Sequence, residues 1–81
     1  MDPTNNGQTT VIAMNEETFN LSIRKYLKMV GVNSQRMIEQ AVAQSLAAGR
    51  ITGTEAFPVK VTLEIGGLGL DEKFTGEIRL E

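Results

Sequence analysis

From Phe57 to Ile65 every second residue is apolar. Phe57, Val59, Val61, Leu63 and Ile65 are apolar, and Lys60, Thr62 and Glu64 between them are polar. A period of two places the apolar side chains on one face of a β-strand. One strand cannot bury such a face. It needs a paired strand and an apolar layer laid over both.

The pairing strand follows in sequence. After Gly66-Gly67-Leu68-Gly69-Leu70-Asp71, a second alternating run sets Phe74, Gly76, Ile78 and Leu80 on one face and Lys73, Thr75, Glu77 and Arg79 on the other. The two runs predict an antiparallel β-hairpin. In such a pair the numbers of facing residues have a constant sum, which must be odd for apolar to face apolar. A sum of 133 leaves Ile78 and Leu80 overhanging, and 135 sets Glu64 against Asp71. A sum of 137 pairs Lys60 with Glu77 and Glu64 with Lys73, each favourable by roughly 0.2–1 kcal/mol. Charge therefore favours 137, with Gly66 to Asp71 as the loop.

The covering layer is expected from two helices. Asn15 is a good N-cap, and Glu16 and Glu17 suit the first turn. Phe19, Ile23, Tyr26, Leu27 and Val30 recur at helical spacing, and Gly31 reads as a left-handed stop. Ser34 or Asn33 would then cap a second helix, whose stripe is Ile38, Ala41, Val42, Ser45 and Leu46 and whose end is Gly49. The expected fold is α+β: a two-helix hairpin packed on one face of an antiparallel β-hairpin, with dimerisation as a means of completing it.

Residues 1–13 read as a disordered, polar N-terminal extension, with Met14 as the natural start of a single domain over 14–81; Val11 to Ala13 offer a short edge strand. Eighty-one residues allow one domain with a small core. There is no Cys or His, so thiol chemistry, imidazole catalysis and the usual zinc ligands are missing. Asp71-Glu72 is too small a group to gather a metal's oxygens, and the Gly66–Gly69 run joins two strands instead of opening a phosphate-binding helix. The expectation is a protein that is not an enzyme and takes no cofactor, metal or small molecule. No membrane segment or signal peptide is evident, which makes the cytoplasm the default compartment.

Two binding readings remain. In the first, the chain is a protein-binding or assembly module with a protein or a second copy as partner. Leu21 on the charged side of the first helix, and Gln40 and Gln44 on an uncharged face of the second, are the candidate contacts. In the alternative, a winged-helix-like DNA-binding domain uses the helix beginning at Ser34. Gln35 and Arg36 would sit at the groove, with Arg24, Lys25 and Lys28 on phosphate. A net charge of −2 argues against nucleic acid.

The segments MNEETFNLSIRKYLK (14–28), VGVNSQRMIEQAV (30–42) and GEIRL (76–80) resemble a small family of short bacterial proteins with no assigned function. The resemblance implies that 14–81 is one unit, and it implies no activity, cofactor or catalytic residue.

Overall fold

A computed structural model describes residues 14–81. It contains one helix, α1 (Glu16–Ala47), and two strands, β1 (Ala56–Ile65) and β2 (Leu70–Arg79), with a 3₁₀ turn over Gly66–Leu68 between the strands. The chain is thus α+β, with a single helix in place of the expected pair. The expected extension over 1–13 and its edge strand lie outside the described residues.

The helix starts where the sequence predicts. Asn15 Oδ1 accepts from the Thr18 amide at 3.0 Å, and Glu16 and Glu17 occupy the first turn. It then runs through Gly31, the expected stop, for 32 residues. Gly31 does not adopt positive φ, and Ser34 is a mid-helix residue. The physical reason is phase. Ile23, Leu27, Val30, Ser34 and Ile38 keep a three-or-four spacing across Gly31, so no turn is needed to hold the apolar stripe in register. A glycine inside a helix costs about 1 kcal/mol relative to alanine, a penalty that one continuous stripe can absorb.

Gly49 is the true terminator. Its φ is +73°, its amide donates to Leu46 O at 3.1 Å, and the Arg50 amide donates to Ser45 O at 2.9 Å. These two bonds form a Schellman cap.

The hairpin is confirmed, but its register is not the expected one. Facing residues sum to 135: Phe57 with Ile78, Val59 with Gly76, Val61 with Phe74 and Ile65 with Leu70. Leu80 N–H donates to Glu55 O at 2.9 Å, extending the ladder by one pair. Glu64 faces Asp71, the like-charge pair that argued for 137. The turn decides the matter. With 135, four residues close the loop, Gly69 takes the left-handed conformation (φ 64°, ψ 25°), and its amide donates to Gly66 O at 3.2 Å. Compact four-residue loops of this kind are among the favoured hairpin connections. The pairing it fixes carries the ladder to Leu70, whereas one exposed like-charge pair costs at most about 1 kcal/mol. Lys73 Nζ also lies 3.4 Å from Asp71 Oδ1 on the same face and offsets part of that cost.

The predicted sealed core is the second correction. Contacts divide the chain into two units, Met1–Glu39 and Gln40–Glu81. Among the described residues of both units, none is buried. The expected layer of two helices is replaced by the single helix α1.

Candidate interaction surface

At about 100° per residue, the described charges of α1 between its first turn and its end fall together. Arg24, Lys25, Lys28, Arg36 and Glu39 occupy an arc of about 120°. The remaining face carries Phe19, Ile23, Tyr26, Leu27 and Val30, then Ser34, Met37, Ile38, Ala41 and Ser45. Val30, Ser34 and Ile38 on this face are half-buried, and the others of the first unit are open to solvent: Tyr26 and Leu27 are each 54% exposed and Met37 is 68% exposed. A contiguous apolar stripe of this length, rimmed by charge, has the make-up of a contact surface.

The hairpin presents a second apolar face. Phe57, Val59, Val61, Leu63 and Ile65 of β1 share it with Leu70, Phe74 and Ile78 of β2, by the alternation of the strands, and Glu72, opposite Leu63, is the one charge on it. Val59, Leu63, Leu70 and Ile78 are half-buried, while Phe74 is 60% exposed. Gly76 opposite Val59 leaves a shallow dip, with a Val59 methyl 3.7 Å from where a Gly76 Cβ would lie. The other face carries ion pairs along β2, Lys73 with Asp71 at 3.4 Å and Arg79 with Glu77 at 3.3 Å. The predicted cross-strand pairs Lys60–Glu77 and Glu64–Lys73 are not opposite one another, because the register differs by two.

The residues singled out from the sequence are not brought together as one site. Leu21 is 56% exposed in a shallow groove with Glu17, Thr18, Asn20 and Arg24. Gln40 lies on the same helix nineteen residues further on, about five turns away, and Gln40 and Gln44 are both exposed. Of the residues of the nucleic-acid alternative, Arg24, Lys25, Lys28 and Arg36 share the charged arc. Gln35 does not head a recognition helix: its Nε2 donates to Glu39 Oε2 at 3.1 Å in mid-helix. Arg36 Nη1 donates to Asn33 Oδ1 at 3.3 Å. The helix that was to begin at Ser34 is not a separate element, so the helix-turn-helix part of that alternative is corrected.

One polar construction was missed in the sequence. The Glu55 carboxylate closes the loop between α1 and β1: it accepts from the Thr52 amide at 2.9 Å, the Gly53 amide at 3.0 Å and Thr52 Oγ1 at 3.1 Å. The two amide bonds, Thr52 first, lower its pKa from 4.5 to about 2. The signal was present as Thr52-Gly53-Thr54-Glu55, a hydroxyl residue followed by an acid three positions on, the spacing of a capping box without its helix. Gly53, at φ +104°, turns its amide toward the carboxylate. The bonds shape the loop.

Among the described residues, no group of three or more His, Cys, Asp or Glu is placed to hold a metal ion, and no helix is long and apolar enough to cross a membrane. A family model spans residues 14–81, the helix and the hairpin together. The chain belongs to DUF6494, a family of unknown function. This agrees with the resemblance carried by the 14–28, 30–42 and 76–80 segments. No curated protein and no solved structure matches.

Proposed function

We propose that the chain is a non-enzymatic assembly module, whose helix seam and hairpin face are covered by a protein partner in the working state. The observation that supports this reading is the lack of any buried residue over 14–81, in a segment that nonetheless carries an apolar helix stripe and a hairpin face apolar but for Glu72. Folding must offset a conformational entropy of about 1–2 kcal/mol per residue, chiefly by removing apolar surface from water. Helix and hairpin do little of that alone. An isolated two-stranded hairpin is marginal in water, and most helix stability in proteins comes from packing of the apolar face. A partner that covers both faces supplies the missing burial.

The basic arc of Arg24, Lys25, Lys28 and Arg36 is read here as the solvated back of the helix, with Glu39 among the bases and the whole chain at −2.

The reading is tested by sedimentation of the purified chain, together with denaturant unfolding followed by circular dichroism. The expected result is either an oligomer or a monomer that unfolds without cooperativity and binds a hydrophobic dye. A monomer with a sharp, concentration-independent unfolding transition and no dye binding overturns it, because such a chain has no need of a partner.

A further inference from the structure

The seam of α1 is complementary to itself reversed. Ile23, Leu27, Val30, Ser34, Met37 and Ala41 succeed one another at spacings of four, three, four, three and four. This is a heptad pattern, and it follows one face of a continuous helix. The same spacings are obtained when the row is taken from either end. We infer that the partner is a second copy of this chain, lying antiparallel along α1 with facing residue numbers that sum to 64. The inference rests on the assembly reading above and names the partner that reading requires.

Three observations select this occupant and this direction. The first is volume. Bulky side chains fill the first half of the seam (Phe19, Ile23, Tyr26, Leu27, Val30), and small ones recur in the second (Ser34, Ala41, Ser45). Antiparallel pairing sets Ile23 against Ala41, Val30 against Ser34, and Leu27 against the adaptable Met37, while on the flanks of the seam Tyr26 comes level with Ile38. Large against small is how facing layers interdigitate. Parallel pairing stacks Phe19 and Ile23 on their own copies and leaves Ser34, Ala41 and Ser45 facing a gap.

The second is charge. From residue 18 to Ala47 no acid or base lies on the seam, so closing it desolvates no charge. At the ends, the antiparallel arrangement places Glu16 and Glu17 beside Ala48 and Ala47 of the second copy, next to its Arg50. A parallel pair would bring Glu16 and Glu17 against their own copies.

The third is symmetry. Two-fold association uses one patch twice, so it demands a patch complementary to itself, and the row from Ile23 to Ala41 meets that demand. The contact is a left-handed pair crossing at about 20°, with its two-fold axis between Val30 and Ser34, level with residue 32.

The chain has no cysteine, so a single one can be introduced cleanly. Glu17→Cys carries a nitroxide outside the seam, and pulsed electron paramagnetic resonance then reads the label-to-label distance in the full chain. Facing residue 47, the label lies thirty residues from its counterpart, about 45 Å along the axis. Parallel helices place the labels about 20 Å apart, the width of two helices. A second measurement uses exchange of volume. Ile23→Ala and Ala41→Ile should each weaken the dimer at least tenfold in Kd, and the double variant should return to within about threefold, because it rebuilds the same layer with the residues swapped. A distance near 45 Å with recovery in the double variant supports the pairing. A dimer with a distance near 20 Å, or with no recovery, overturns the antiparallel seam and leaves the assembly reading standing. A partly unfolded monomer overturns the second copy as partner while still calling for a different one, and a cooperatively folded monomer overturns both.

Discussion

Glu55 shows how much one side chain can settle when its neighbours supply amides. Its carboxylate holds Thr52 and Gly53 in the loop that leads from the Schellman cap at Gly49 into β1. Because its pKa is about 2 when folded and near 4.5 otherwise, the ionised form is favoured by the fold. The sign follows from linkage. The contribution is complete above pH 4.5, falls as the pH drops below that value, and is gone near pH 2. Glu55→Gln should therefore be less stable than the parent at pH 6, with the difference narrowing on acidification from pH 4.5 toward 2.5. Thermal melts of both proteins across that range check it, and a difference that is constant with pH would contradict the assignment. Gly69 makes a second expectation at this scale. With φ at +64° it sits where an L side chain is strained, so Gly69→Ala should cost about 1 kcal/mol in unfolding free energy. Gly66 and Gly67 have no such φ and no atoms within 4 Å of a built Cβ, so alanine at either should be much milder.

At the scale of elements, the helix and the hairpin differ in what decided them. Helix start, helix end and strand positions were legible, because each is written in local chemistry: Asn15 before two acids, Gly49 after an apolar row, and alternation over 57–65 and 73–80. The break at Gly31 was not there to be read. A glycine marks a stop only if the apolar phase also changes, and here Val30, Ser34 and Ile38 continue it. Gly31→Ala should raise helix stability by about 1 kcal/mol, seen as a higher unfolding midpoint, since nothing lies within 4 Å of the added methyl group. A loss of stability would mean that the helix bends or opens there. The hairpin register failed for a related reason. Cross-strand charges were weighed as if they set the frame, whereas the αL glycine at position 69 sets it and the charges adapt. Nuclear Overhauser contacts should join Thr62 to Lys73 and Lys60 to Thr75, and should not join Glu64 to Lys73 as directly opposed residues. The candidate contacts Leu21, Gln40 and Gln44 were placed on two helices by that same false stop, which is why they end on one helix and apart.

For the whole molecule, the decisive quantity is apolar surface that has no cover. A chain of 81 residues ordinarily offers a small core, and the described part of this one offers none. On the assembly proposal stability depends on association, and mass action makes that dependence measurable. If two copies fold together, the free energy of unfolding includes the concentration of the protomer, so the melting temperature rises with total protein. From 5 to 500 μM, a hundredfold change, a dimer gains about 2.7 kcal/mol, which for a melting unit of two such chains moves the midpoint by roughly five to ten degrees. A charge placed in the seam, as in Val30→Glu, should remove both the association and the concentration dependence, since two such carboxylates would have to be desolvated beside Ser34 of each copy. Val32→Glu, two residues on and on the exposed charged arc across the helix, should leave both unchanged and so separates the seam from helix propensity in general. Melting curves of the three proteins over the same concentration range make the comparison. Equal sensitivity at positions 30 and 32 would show that the face carrying Ile23, Leu27 and Val30 has no special part in holding the molecule together.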